Sequence, residues 1–317
     1  MNKKIAITGA LGHIGSKFIH SLESDMMFKE VRLIDNLMTQ RYSSLFNLPE
    51  NIPFTFIEED IITADLNSIF TDIDIVIHLA AITDAASSFG NLDEIEKVNF
   101  EGTNRVIEAC IKNNTKLIFP SSTSIYGSNN QSILEDSVGD DINPQSPYAE
   151  SKFNSEQVLN DSLSSDDLNF CILRLGTIFG PSTGMRFHTA VNKFCWQANF
   201  NKPITVWETA LDQKRPYLGI NDAVSAIKFI ISNDLFSNDT FNVVTKNFSV
   251  KDVISCIKNN IDSVEVELIK TRIMNNFSFG VSSNKIEKLG FKFKDDLSNQ
   301  IKETIDVLKN SNSNSKR

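Results

Sequence analysis

The chain has 317 residues, 41% hydrophobic and 22% charged, enough for one large domain or two that share a core. A formal net charge of -9 and a pI near 5.1 exclude a protein that grips nucleic acid through a basic face, though a small anion could still be held by local amides and a few arginines. The four cysteines, Cys110, Cys171, Cys195 and Cys256, are far apart and lack CxxC spacing, and no apolar run is long enough to cross a membrane. Both features point to reduced thiols in a cytoplasmic protein.

In chain order, "KIAIT" (4–8), "VRLID" (31–35), "FTFIE" (54–58), "DIVIHLA" (74–80), "KLIFP" (116–120) and "FCILRL" (170–175) are short continuous apolar runs. Such runs suit strands buried on both faces of a parallel sheet. Helical patterns separate several of them, notably 92–113, where Leu92, Ile95, Val98, Val106, Ile107 and Ile111 fall near helical spacing, and 147–163. Strand–helix alternation predicts an α/β fold with a doubly wound parallel sheet of Rossmann type. After residue 176 the alternation weakens, then "DAVSAIKFII" (222–231) and "FNVV" (241–244) read as one more helix and strand. The division expected is 1–175 plus 222–245 as a dinucleotide-binding domain and 176–221 plus 246–308 as a smaller mixed lobe. The polar low-complexity end, 309–317, reads as a disordered tail.

"ITGALGHIGS" places Gly9, Gly12 and Gly15 between the first strand and the start of a helix. Glycine there serves a tight turn, the close approach of backbone to a pyrophosphate, and helix–strand packing, with the helix's free amides facing the phosphates. A glycine triplet alone also fits a plain strand–helix turn. The second strand, however, ends in Asp35, followed by Asn36, at the distance expected of a carboxylate that binds both ribose hydroxyls. That carboxylate repels a 2′-phosphate and favours NAD over NADP, although Arg41 lies nearby. "PYAESK" then supplies Tyr148 and Lys152, four residues apart and so on one face of a helix. An unperturbed phenol, with a pKa of about 10, is a poor base at neutral pH. A neighbouring ammonium favours the phenolate and makes Tyr148 a general base and acid.

"TGALGHIG", "LIDNL", "DI" (60–61), "HLAA" (78–81), Asn99, "SSTSIYG" (121–127), "YAESK", "LR" (173–174) and "GP" (180–181) occur here in one order. Together they resemble an extended short-chain dehydrogenase/reductase of the NAD-dependent nucleotide-sugar epimerase/dehydratase family, over about residues 3 to 300. The resemblance implies NAD as cofactor and a nucleoside-diphosphate sugar as substrate. His13 and Ile14, inside the glycine loop, fall among the cofactor contacts, with no acid–base role for His13. Asp60 and Ile61 match the pair that touches adenine. Leu79, Ala80 and Ala81 line the pyrophosphate and ribose path, Asn99 braces the active site from its helix, and Asn99, Tyr148 and Lys152 fall among the cofactor contacts. Ser122 takes the place of the catalytic hydroxyl beside Tyr148 and Lys152, with Thr123 and Ser124 facing the sugar. His78 reads as a satisfied core histidine.

On the substrate side, "MRFHTAVNKF" (185–194) resembles the segment whose asparagine, here Asn192, approaches the diphosphate, and Arg215 matches a phosphate-binding arginine. For His188, a sugar contact and a helix cap are both open. A second phosphate-binding arginine of many relatives is replaced by Phe277, with Arg272 as a possible substitute. Family dehydratases carry an Asp-Glu pair after the catalytic hydroxyl and decarboxylases a glutamate; Thr123 and Ser124 hold those places, which disfavours elimination and decarboxylation. The expected activity is therefore a nucleotide-sugar epimerase using transient hydride transfer at C4. A 4-dehydrogenase or 4-keto reductase, and a non-catalytic NAD-binding regulatory protein, are the alternatives. By the same resemblance, helices 92–113 and 147–163 pair across a homodimer, and no metal is expected.

Overall fold

A computed structural model describes residues 3–22, 28–84, 90–162, 168–270 and 278–309. The apolar runs form β1 (Lys4–Thr8), β2 (Glu30–Asp35), β3 (Phe54–Glu58), β4 (Ile75–His78), β5 (Lys116–Ser122) and β6 (Phe170–Leu175). With β10 (Asp239–Val243) they make a seven-stranded sheet in the order β10-β6-β5-β4-β1-β2-β3, parallel throughout. Chain order reverses at β1, between β2 and β4, so a crevice opens at the carboxyl ends of these strands. Burial on both faces is visible within β1: Ile5 and Ile7 enter one core cluster and Ala6 the other.

One face is covered by α1 (His13–His20) and α7 (Ile220–Ser232), through Phe18, Ile19, Ile227 and Ile230. The other takes α2 (Leu66–Ile69), α4 (Gly102–Asn113) and α5 (Pro147–Asp161), through Leu66, Val106, Ile107 and Leu159. Helix α5 begins where the chain dictates: the Ser146 hydroxyl accepts from the Ala149 amide at 3.2 Å and Pro147 occupies the first turn.

The expected helix 92–113 is three pieces: α3 (Leu92–Ile95), a π-helical stretch Glu96–Glu101, and α4. The extra residue of a π turn rotates the helix beyond it relative to the helix before it. It brings the polar Asn99 to full burial, while Leu92, read as part of the apolar face, is 57% exposed.

The smaller lobe holds β7 (Thr177–Phe179), α6 (Ala190–Asn199), β8 (Ile204–Trp207), β9 (Lys214–Gly219), β11 (Lys246–Ser249), α8 (Val250–Lys258), β12 (Val266–Ile269) and α10 (Leu297–Leu308). Its strands form a mixed sheet β11-β9-β7 and a parallel pair β12-β8. Val191, Phe194, Val253 and Ile301 pack among the residues of its core. Between β12 and α10, helix α9 (Asn284–Lys288) sends Ile286 to the α7 side of the main sheet, joined by Phe291. The four cysteines are free thiols, three of them buried, and among the described residues no helix is long and apolar enough to cross a membrane.

Candidate active site

The strand ends set the site. Gly9 follows β1 with φ +65°, and a Cβ there would lie 2.6 Å from the Ala80 nitrogen, so the turn admits only glycine. Gly12 precedes α1 with no side-chain cap, which leaves amides of the first turn for a ligand. The Asp35 carboxylate ends β2 and accepts from the Leu11 amide and the Leu37 amide, both at 3.0 Å. A carboxylate has about four acceptor positions, so two stay available for ribose hydroxyls. Asn36 donates to Asp60 at 2.8 Å, and Asp60 also accepts from the Ile62 amide at 2.8 Å; Ile61 is buried against the main core. This glycine cradle and its acid fit NAD.

His78, at the end of β4, is fully buried with both ring nitrogens partnered. The Thr103 hydroxyl donates to the Asn99 carbonyl at 2.6 Å, so it accepts from His78 Nε2 at 3.0 Å. His78 Nδ1 then accepts from the Thr8 hydroxyl at 2.7 Å, which accepts in turn from the Ala80 amide at 3.3 Å. Burial, then the charge of Lys152, push the imidazole down to about 3, so it stays neutral and fixed. Asn99 closes the same wall. Its amide accepts from the Ile82 nitrogen at 2.7 Å and donates to the Ile82 carbonyl at 2.8 Å and the Ser151 hydroxyl at 3.3 Å. It is therefore a brace between the β4 loop and α5.

A cavity of about 840 Å³ opens at these strand ends. Ile14, Leu79 and Ala81 line the cavity, Ser122, Tyr148 and Lys152 are together in it, and of the expected substrate residues Thr123, Ser124, His188 and Arg215 also line it. Ser122, the last residue of β5, accepts from the Ser124 amide at 3.1 Å and the Ser124 hydroxyl at 2.8 Å. With both lone pairs taken, its own proton is the part left to donate. Thr123 donates to the Leu175 carbonyl at 3.2 Å, so it anchors the turn to β6 and has no free proton for a sugar. Tyr148 has its phenol raised above the usual value by burial, with the Arg186 cation and the Ser122 hydroxyl pulling the other way. Lys152 is 3% exposed, lies 4.7 Å from the Phe119 ring centroid, and is pushed down to about 8 by burial, against the pull of Glu156. Behind this wall Glu156 forms a buried ion pair with Arg174 at 2.7 Å and accepts from Ser121, while Arg174 also donates to the Tyr126 hydroxyl at 2.7 Å.

Two of the expected residues make hydrogen bonds within the chain. Asn192 is fully buried: its amide oxygen accepts from the Gly180 nitrogen at 3.2 Å and its nitrogen donates to the Arg186 carbonyl at 3.1 Å. It holds the backbone of 180–186. His13 turns its Nε2 to the Gly180 carbonyl at 2.8 Å and is buried, so it ties the glycine loop to the smaller lobe. Arg215 lies 5.3 Å from the Phe279 ring centroid and donates to the Lys214 carbonyl at 2.9 Å and to Gln213 at 2.8 Å. Arg272 and Phe277 lie outside the described residues. Arg186, which lines the cavity, was missed; its signal was a charged residue flanked by Met185 and Phe187. The described residues hold no cluster suited to a metal.

A sequence model of the NAD dependent epimerase/dehydratase family matches residues 5–243. The chain belongs to that family. It is thus an NAD-dependent enzyme of the extended short-chain dehydrogenase/reductase type. An uncharacterised UDP-glucose epimerase of Bacillus subtilis (strain 168) is 31% identical over 264 residues, 80% of this chain and 81% of that one. A dTDP-D-glucose 4,6-dehydratase of Dictyostelium discoideum is 32% identical over 77% of this chain, which spans 58% of that longer protein. Among solved structures, the UDP-glucuronic acid 4-epimerase of Bacillus cereus, in complex with UDP-glucuronic acid and NAD, superposes with a TM-score of 0.85. It is 26% identical, with 96% of this chain and 99% of that one covered. This family member therefore shares its fold with enzymes of both chemistries, and the residues of the cavity must separate them.

Proposed function

We propose that this family member is a nucleotide-sugar 4-epimerase acting on a UDP-hexose or a close relative of one. The observation that carries the reading is the convergence of Ser122, Tyr148 and Lys152 in one cavity whose next two positions, Thr123 and Ser124, bear no acid. Elimination of water from the sugar needs groups that protonate a leaving hydroxyl and take a carbon-bound proton. The hydroxyls at 123 and 124 titrate far outside that range and are committed to Leu175 and Ser122.

NAD, which the Gly9–Gly12 turn and Asp35 would hold, would supply reversible hydride chemistry at the sugar carbon. Tyr148 as phenolate takes the proton of the C4 hydroxyl, and as phenol gives it back. Ser122 donates its remaining proton to the C4 oxygen, holding it during the change from alcohol to carbonyl. Lys152 supplies the positive charge that makes the phenolate accessible near neutrality. The 4-keto sugar turns over in the cavity between the two transfers and receives the hydride on its other face. Arg215, beside the same cavity, supports a diphosphate as the handle that stays put meanwhile.

The deciding experiment incubates the purified protein with NAD and a panel of UDP-, GDP-, CDP- and dTDP-sugars. Reduced-nicotinamide absorbance and proton NMR of the sugar are followed together. The epimerase gives inversion at C4 with no net NADH. Stoichiometric NADH would make it a 4-dehydrogenase, NADH consumption on a 4-keto sugar a reductase, and a 4-keto-6-deoxy product a dehydratase; each would sink the present reading. Binding of NAD with no turnover of any sugar would leave a regulatory binding protein.

A further inference from the structure

Arg186 has a position that these proton and hydride transfers leave unused. It lies between β7 and α6, on a strap that docks on the glycine loop. Gly180 offers its carbonyl to His13 at 2.8 Å, the Ser182 hydroxyl donates to the His13 carbonyl at 2.9 Å, and the Gly184 amide donates to Ser16 at 2.9 Å. A Cβ on Gly184 would fall 2.2 Å from the Leu11 carbonyl oxygen, so strap and loop touch backbone to backbone. Asn192 fixes the Arg186 carbonyl from the other end, at 3.1 Å. The side chain thereby enters the cavity from a rigid support. One guanidinium nitrogen, Nη1, donates to the Thr83 hydroxyl, and Nε is buried with no hydrogen-bond partner.

An arginine with a buried, unsatisfied donor is costly unless it serves a negative charge. Two candidates face it: the Asp84 carboxylate and the Tyr148 phenol. Asp84 offsets part of the charge at rest, whereas the phenol becomes anionic only during proton transfer. Lys152, the expected partner of that phenol, rests over the Phe119 ring and has Glu156 one helical turn away as its charged neighbour.

We propose that Arg186 is the second cation of the proton-transfer site, stabilising the Tyr148 phenolate from the 180–189 strap while Lys152 does so from α5. It acts through Tyr148 and is a positioning residue for the charge that develops there. The inference rests on Tyr148 being the acid–base group of the proposed reaction. The groups around the phenol agree: Arg186 from the strap and Ser122 from β5 favour its anion, burial opposes them, and Lys152 of α5 lines the same cavity. Around Arg186 stand Arg41, Asp84 and His188; the imidazole, pushed down to about 4 by burial and by Arg186, is neutral at physiological pH and adds no competing charge.

The test is an ultraviolet difference titration of the tyrosinate band in the full chain, with a Tyr148→Phe protein subtracted to isolate this one phenol. Arg186→Gln is expected to raise the Tyr148 midpoint by at least about one pH unit, about tenfold less phenolate at a given pH, and Arg186→Lys to restore most of it. Near-UV circular dichroism checks that each variant is folded. An Arg186→Gln midpoint equal to the parent's overturns the proposal, as does an equal shift in Arg186→Lys, which would mark a packing effect. Should Arg186→Gln not fold, Thr83→Val, which removes the hydroxyl that holds Nη1, must shift the midpoint, and an unmoved midpoint is fatal. No sugar enters this measurement. A shifted midpoint in a protein that turns over no sugar would defeat the epimerase reading alone, and an active protein with an unshifted midpoint would defeat this one alone.

Discussion

Tyr148 carries the chemistry only because its surroundings make an ordinary phenol into a usable base. Tyr148→Phe is expected to lower kcat by about 10³- to 10⁴-fold while NAD still binds, and Ser122→Ala by about 10²-fold, read as C4 inversion by NMR. A Tyr148→Phe protein at full turnover would end the assignment. The buried histidines set a different limit. His13 and His78 are both pushed down to about 3, by burial first. Their depressed folded-state values mean that the unfolded chain binds protons the native one cannot. The stability they support is full above about pH 6.5 and is lost as pH falls from there toward 3, at about 1.4 kcal/mol per unit for each ring. Urea melts at pH 7 and pH 5 are expected to differ by roughly 4 kcal/mol on this account. A flat profile would mean that the rings are not held neutral. Residues in the named motifs, such as Gly9, Asp35, Ser122 and Tyr148, were legible in the sequence because backbone shape or titration chemistry demands one residue type there. Arg186 and the Thr8–His78–Thr103 chain were not, since their partners come from distant segments that no local spacing records.

At the scale of elements, two devices position the site. Helix α5 carries Tyr148, Lys152 and Glu156 at four-residue intervals, so acid–base group, cation and structural carboxylate share one face. Glu156 is fully buried against Arg174, and replacing one partner of such a pair costs about 3–5 kcal/mol because the other is left uncompensated. Glu156→Gln is expected to destabilise the protein by an amount of that order in urea. It also removes the charge that holds Lys152 up at about 8, so loss of the ammonium, and of activity with it, moves to lower pH. The second device is the strap at 180–186. Gly184→Ala forces it off the glycine loop, and calorimetry is expected to show weaker NAD binding, by about tenfold or more, in a protein that remains folded. Strand positions and α5 followed from periodicity and caps. The π turn at Glu96–Glu101 did not, because one inserted residue leaves helical spacing intact on each side while rotating the two halves.

For the whole molecule, the doubly wound parallel sheet was readable from six apolar runs and the helical patterns between them, whereas the smaller lobe was only a change of texture after residue 176. Its strands β8 and β12 are short, and each pairs with a segment about sixty residues away, which leaves no hairpin signal in the sequence. The outer surface bears on assembly. The helical unit α3–π–α4 packs beside α5 on one face of the sheet, and Leu92 at its start stands 57% exposed. An exposed leucine alone is ordinary. On the resemblance to family dimers, these two helical elements are expected to meet their copies in a four-helix contact. Size-exclusion with light scattering at micromolar concentration is then expected to give twice the 35.5 kDa chain mass. Leu92→Glu, which sets an acid into each copy of the contact, is expected to shift the population toward monomer without altering the circular dichroism of the fold. A clean monomer in the parent protein would remove the dimer. It would leave the active site untouched, since Ser122, Tyr148, Lys152 and Arg186 all come from one chain.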